Sequence, residues 1–557
     1  MRHQRLTHFR SSIFFFLLLL AMTCNNQPKT TIPPWQPYDE SAEIAENADH
    51  DSKKMQFKLI QSRIFDKNEI WKQIGPQIED FSEADYQKLK PLILEQDIPT
   101  LQSHIKAGRF SYEKLTQWCL FRIVKFENDC SKYLNGIISI NPEAVAMARQ
   151  RDKNRSEKDH PIYGMPVILK DNINFAGLPT TGGAYALLEN NADNAFITDR
   201  IQKKGGIILG KANLSEWANY LSKHCPNGYS AVGGQTLNPY GRKEFDTGGS
   251  SSGSGVSIAA NYAAAAVGTE TSGSILSPSS SNSIIGLKPT VGLLSRSGII
   301  PISSTLDTPG PMTRTVIDNA ILLSAMTGYD DTDPAMTEDY DSGVHFSGLE
   351  KHTLKGLRLG VNREFLEDSL YQQALKQIKQ SGAETVVFDP EEMDFNGFIT
   401  LLDSDMKVDL PAYLENYASE NIHHRSIADL VAYNQQDTTL RIPYGQTYFE
   451  GMVRQDISES ELTALKKRFH EAAVKFFEIP MKKYKLDAVL SINNWNAGHA
   501  ALAKYPCLTI PMGYKESGQP MGLTFIARPF EENKLLKMGY AFEKETMARK
   551  LPAVYKN

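Results

Sequence analysis

Two glycine- and serine-rich tracts and one upstream lysine carry the chemistry of this chain. Asp246-Thr-Gly-Gly-Ser-Ser-Ser-Gly-Ser-Gly255 is followed, after an alanine-rich segment, by Gly268-Thr-Glu-Thr-Ser-Gly-Ser-Ile275, and Lys170-Asp-Asn172 stands before both. Hydrolysis of an amide needs a nucleophile, a base that returns its proton to the leaving amine, and backbone donors for the developing oxyanion. Serines, a lysine and glycine-rich backbone supply all three. Each has a plainer reading when taken alone: a Gly/Ser tract is a flexible linker, a single lysine a surface residue, a single serine a turn residue. Their joint occurrence among apolar, strand-like runs points to a catalytic centre instead. Gly249-Ser-Ser-Ser-Gly253 also matches G-x-S-x-G, which would make Ser251 a nucleophile with His499 as a late histidine. That elbow follows a hydrophobic strand, whereas Arg242-Lys-Glu-Phe-Asp246 is charged.

The elements that must position these residues are legible in outline. Pro166-Val-Ile-Leu169 ends at Lys170, and Gly206-Ile-Ile-Leu-Gly210 follows an amphipathic segment, 198–204. Both read as buried strands alternating with helices. The alanine-rich stretch 256–266 predicts a packed helix, with the serine tracts at opposite ends of a helix-then-strand unit. Further strands are expected at Ile284-Ile-Gly-Leu-Lys288, Ala488-Val-Leu-Ser-Ile492, Cys507-Leu-Thr-Ile510 and Leu523-Thr-Phe-Ile-Ala527, so that both ends of the chain complete one sheet. Periodic apolar residues predict framing helices over 112–134 and 82–90, the latter stopped by Pro91. The region 350–481 is more charged and helical and reads as a substrate-covering insertion within the same domain.

The two tracts resemble the core of the amidase signature family, which runs Gly-Gly-Ser-Ser-Gly-Gly-Ser, an apolar helix, then Gly-Thr-Asp-x-Gly-Gly-Ser-Ile. Gly164-Met-Pro-Val-Ile-Leu-Lys-Asp-Asn172, Leu214-Ser-Glu-Trp-Ala-Asn219, Gly286-Leu-Lys-Pro-Thr290, Asp307-Thr-Pro-Gly-Pro311 and Pro506-Cys-Leu-Thr-Ile-Pro-Met-Gly513 extend the likeness, which covers about 110–543. The resemblance implies an α/β fold: a single large domain with a central mixed β-sheet flanked by helices. It implies Ser274 as nucleophile, Ser250 as a bridging serine in a cis peptide after Gly249, and Lys170 as base. Ser250 and Ser274 stand 24 residues apart, as in the family. The amides of Thr271, Ser272, Gly273 and Ser274 would then form the oxyanion hole. Three residues depart from the pattern: Ser272 replaces a glycine, Glu270 an aspartate, and Leu276 an arginine found in many members. Asp171 and Asn172 are expected to fix the loop, and Glu216 to cap or pair near a helix start. Gly234-Gln-Thr-Leu-Asn-Pro-Tyr240 and Ser295-Arg-Ser-Gly-Ile-Ile-Pro-Ile302 are most similar to bacterial peptide amidases, which remove the C-terminal amide of peptides. A small amide or peptide amide is the expected substrate, with no metal or organic cofactor. The alternatives are another amide or ester hydrolase of the family, the amidase component of a tRNA-dependent transamidation complex, or a non-catalytic binding lipoprotein with the same fold.

At 557 residues and 41% apolar content the chain can bury a full core. Its 60 Lys+Arg against 65 Asp+Glu leave no basic excess for tracking phosphates, which argues against nucleic acid as a partner. Basic residues at the N-terminus precede an apolar run, 13–22, too short to span a bilayer, and then Thr23-Cys24. Residues 1–24 therefore read as an export signal, and Thr23-Cys24 resembles a bacterial lipoprotein processing site, whose lipidated cysteine would give a membrane-anchored lipoprotein of the cell envelope; simple cleaved secretion and a retained anchor are the alternatives. Residues 25–55 are polar and read as a tether, with the amidase domain over 56–552 and its signature core at about 160–320. Cys119, Cys130, Cys225 and Cys507 show no metal spacing and read as buried thiols, a Cys119–Cys130 bridge being conceivable in an exported protein.

Overall fold

Continuous apolar runs make strands that are buried on both faces, and Pro166–Lys170, Ile207–Ala212 and Ala265–Glu270 are buried at every position. These three lie side by side and parallel in the computed structural model, which describes residues 30–336, 343 and 346–556. The expected signal and Cys24 lie outside the described residues. Among those described, the central sheet has eleven strands in the order Ile137–Ile140, Ile207–Ala212, Pro166–Lys170, Ala265–Glu270, Thr308–Thr313, Ile285–Lys288, Cys507–Tyr514, Pro520–Ile526, Ala488–Ile492, Arg358–Asn362, Glu384–Phe388. Antiparallel pairs join the parallel group to the C-terminal strands, so the sheet is mixed and both ends of the chain enter it.

The serine tract is a helix start rather than a linker. The helix spans Ser252–Ala259, earlier than the alanine-rich stretch suggested, and all of its residues are buried. A Cβ added at Gly253 would come within 2.4 Å of the Asn213 carbonyl oxygen and 2.5 Å of that of Gly136. The small side chains thus let the helix lie backbone to backbone on its neighbours, which a propensity reading of alanine could not anticipate. The residues after Ala259 turn directly into the strand Ala265–Glu270.

Three other expectations are corrected. The framing helices are Glu83–Ile93, with Pro91 inside its last turn, and Tyr112–Glu127, which stops at Asn128. The 350–481 region contributes the strands Arg358–Asn362 and Glu384–Phe388 to the sheet edge, with the helix Ser369–Gln380 between them. Its helices Phe398–Asn416, Ile427–Gln435 and Glu459–Tyr484 pack with Trp217, Ile300 and Leu276 in a second apolar core. Cys119, Cys130, Cys225 and Cys507 are all free thiols, Cys130 exposed and the others buried.

The tether expectation fails from Thr30 onward. Trp35 is 7% exposed, with its ring edge-on to Tyr133 at 5.3 Å between centroids and the Lys67 ammonium 4.6 Å over its face. The polar residues that suggested a solvated segment make tertiary hydrogen bonds instead. Asn47 Nδ2 donates to the carbonyls of Met55 and Lys243, each at 2.9 Å, and Glu40 accepts from the amides of Ile60 and Gln61. Replacing Trp35 by alanine removes this anchor and is expected to cost about 3 kcal/mol in equilibrium unfolding, the range for emptying a buried aromatic site. An unchanged midpoint would return residues 30–55 to the role of a tether.

Candidate active site

Lys170 ends the strand Pro166–Lys170, at the carboxyl edge of the parallel group where open α/β sheets place their ligands. Its side chain is completely buried. Nζ lies 2.7 Å from Ser250 Oγ, 2.8 Å from Thr269 Oγ1 and 3.2 Å from the Thr269 carbonyl oxygen. Removal from water disfavours the charged amine and pushes its pKa down to about 7, against the through-space pull of Asp307 and Glu270.

Ser250 is fully buried and joined to Gly249 by a cis peptide, as the resemblance implied. Its loop is fixed on every side. The Asp246 carboxylate accepts from the Gly248 amide at 2.7 Å and from Asn227 Nδ2, and the Ser250 carbonyl accepts from the Ser215 amide at 3.0 Å. A Cβ at Gly249 would strike Ser215 Oγ at 2.6 Å, so glycine is required for this approach. Ser251, the alternative nucleophile, has its hydroxyl occupied: Oγ donates to the Thr269 carbonyl at 3.1 Å and accepts from the Thr269 amide. His499 is packed against Phe395 and Phe476, and its burial holds its pKa down to about 4. The nucleophile-elbow reading is therefore discarded.

Ser274 follows the strand Ala265–Glu270, and its carbonyl accepts from the Ser251 amide at 3.1 Å, tying the two serine tracts together. Glu270, the departure from aspartate, bridges the loop: its Oε2 accepts from the amides of Ile275 at 2.7 Å and Leu276 at 2.9 Å. Gly273 has φ of 95°, in the left-handed region, and a Cβ there would meet Asn494 Nδ2 at 2.9 Å. Thr271 Oγ1 donates to Asp307 Oδ1 at 2.5 Å. Ser272 is more exposed than its neighbours, and its Oγ lies 3.7 Å from the site of a Cβ on Gly498. Leu276 is buried in the second core.

The expected supporting residues have concrete partners. Asp171 forms a buried ion pair with Lys211 at 3.1 Å and accepts from Thr181. Asn172 Nδ2 donates to Thr269 Oγ1 at 3.0 Å and to the Ile300 carbonyl at 3.2 Å. Glu216 accepts from the Ala231 amide at 2.8 Å rather than capping a helix, and burial raises its pKa to about 8. After it Trp217, Ala218 and Asn219 all adopt left-handed backbone angles. Sequence reading missed Thr269, which touches both Lys170 and Asn172, although it stands inside the Gly268-Thr-Glu motif.

Comparison with known proteins fits this geometry. The family described as "Amidase" matches residues 119–536. A protein of Arabidopsis thaliana named "Probable amidase" is 36% identical over 480 residues, covering 83% of this chain and 92% of its own length. The crystal structure of an amidase family protein from Bacillus anthracis superposes with a TM-score of 0.84 at 36% identity, covering 88% of this chain and 99% of that one. The native peptide amidase of Stenotrophomonas maltophilia gives 0.78 at 36% identity, covering 82% and 98%.

The buried amine has a consequence for stability. Between pH about 7 and the ordinary value of 10.5 the unfolded chain binds a proton that folded Lys170 does not, so this residue costs stability at neutral pH and the cost fades as pH rises. Lys170→Met removes that cost. Chemical unfolding should show the variant's stability relative to wild type falling by roughly 3 to 4 kcal/mol from pH 7 to pH 10. A difference independent of pH would contradict the depressed amine.

Proposed function

The chain belongs to the amidase family and is a hydrolase acting on amides; on that premise we propose that it releases ammonia from a carboxamide, the C-terminal amide of a peptide, through an acyl-enzyme on Ser274. The observation that carries this reading is the set of partners around Lys170 Nζ. A neutral amine has two N–H bonds and one lone pair. The two Thr269 oxygens can take the N–H bonds, which leaves the lone pair facing the Ser250 hydroxyl. Ser250 gives its proton to Lys170 and takes that of Ser274, whose Oγ bonds to the carbonyl carbon. The amides of Thr271, Ser272, Gly273 and Ser274 hold the oxyanion. The C–N bond then breaks, the proton returns through Ser250 to the departing nitrogen, and ammonia leaves. Water repeats the sequence on the ester, which yields the free carboxylate and restores Ser274.

Preference for peptide amides is supported by the likeness to the Stenotrophomonas maltophilia peptide amidase. The basic N-terminus, the apolar run and Cys24 support an exported, lipid-anchored enzyme of the cell envelope. That setting separates it from the amidase component of a tRNA-dependent transamidation complex, whose partners and tRNA are cytoplasmic.

Purified protein should release ammonia from C-terminally amidated dipeptides, and Ser274→Ala should abolish the release with the unfolding midpoint retained. The Lys170 pKa sets the pH profile: the amine must be neutral to accept a proton, so kcat/KM rises with pH through about 7 and then levels. Release that persists in Ser274→Ala, or a rate that falls from neutral to mildly alkaline pH in folded protein, would overturn the mechanism. For the anchor, metabolic labelling with a fatty acid should mark the wild type and not Cys24→Ser; an unlabelled wild type would remove it.

A further inference from the structure

Beside the catalytic loop lies a cavity of about 230 Å³. Thr269 and Thr271 form part of its wall, and Asp409 and Tyr413 of the helix Phe398–Asn416, with Tyr417 just after it, form another part. Its apolar lining comes from the Ile299–Ile302 stretch and these tyrosines, so the polar groups left free on the wall decide what enters. Arg296, a cation on the wall, is already engaged: Nε and a terminal nitrogen hold Asp333, and the other terminal nitrogen donates to the Ser304 carbonyl. Asp307 is engaged by Thr271 Oγ1 and the amides of Ile302 and Ser303.

Asn172 and Asp409 supply further acceptors on this wall. Asn172 is 2% exposed, both of its N–H contacts are spent on Thr269 and Ile300, and its Oδ1 is buried without a partner among the described residues. Asp409 accepts from the Ser304 amide at 2.5 Å and interacts with the Ser304 side chain, and burial together with neighbouring Asp405 holds its carboxyl above the ordinary range, against Ser304 and the charge of Lys466. Lys466, the nearby ammonium, sits on Asp405 at 2.5 Å. A buried carbonyl and a half-buried carboxylate that feels Arg296 and Lys466 only through space and forms no ion pair among the described residues favour a hydrogen-bond donor that carries positive charge. An apolar group would leave Asn172 Oδ1 unpaired, and an anion would face Asp409.

We propose that this cavity is a subsite for a cationic group of the substrate, an ammonium or guanidinium carried away from the scissile carboxamide, with Asp409 as counter-charge and Asn172 Oδ1 as acceptor. The proposal rests on the amidase reading for its substrate class, but it can be tested without turnover.

Two ligand pairs are titrated by calorimetry into Ser274→Ala protein. The first is N-acetyl-lysine amide against N-acetyl-norleucine amide; the second is alanyl-norleucine amide with a free against an acetylated N-terminus. In at least one pair the charged member should bind about tenfold or more tighter, as expected for a hydrogen bond to a charged group. The preference should shrink to about threefold or less on adding Asp409→Asn, which keeps a carbonyl for the Ser304 amide, and Asp409→Glu should restore part of it. Equal binding in both pairs overturns the proposal, as does a preference that survives Asp409→Asn in folded protein. If that variant does not fold, the pairs decide on the Ser274→Ala background alone. Wild-type ammonia release from the same ligands is read separately: a charge preference without any release would reject the hydrolytic reading and keep the subsite, and release without preference would do the reverse.

Discussion

The burial of one amine against hydroxyl and carbonyl oxygens is the constraint on which the rest of this structure depends. An ammonium at the Lys170 position would forfeit its hydration with only Ser250 and Thr269 as immediate partners, so the site favours the neutral form that can act as a base. The surrounding carboxylates are arranged in keeping with that. Asp307 is engaged by Thr271 and two amides, Glu270 by the turn after Ser274, and Asp171 by Lys211. Each is held by donors of its own and none of these contacts is with the Lys170 amine.

Holding that arrangement requires rigid backbone, and the fold supplies it from the sheet outward. Lys170, Thr269 and Glu270 end adjacent parallel strands, while Ser250 comes from the loop before a helix of small, buried residues. The glycines have specific tasks: Gly253 lets the helix touch the Gly136 and Asn213 backbones, and Gly273 supplies the left-handed turn before Ser274. The helices of the 350–481 region then dock on the other side. Ser303 and Ser304 bond to Asp405 and Asp409, and Tyr413 to Asn174, so the wall of the cavity is fastened to the central sheet.

Much of the site was legible because its chemistry is concentrated in two short tracts and one strand end. Lys170, Ser250 and the Ser274 loop stand out by residue type, and apolar runs marked most of the strands that carry them. What the sequence hid was tertiary. The Trp35 segment looks like a tether because its polar residues bond to distant backbone, at Lys243 and Gln61, rather than to neighbours. The strands Arg358–Asn362 and Glu384–Phe388 were masked by the charged helices around them, the latter being an exposed edge strand with few buried positions. The role of Thr269 depends on strand register, which places it beside Lys170 although the two are 99 residues apart.

The central claim is that Lys170 is neutral near physiological pH, and titration of the 13C-labelled lysine ε-methylenes by NMR tests it directly. One lysine resonance should titrate near 7 and be missing from Lys170→Met, while exposed lysines titrate near the ordinary value of about 10.4. If the resonance lost in Lys170→Met titrates with the exposed lysines, the amine is a buried cation and cannot be the base.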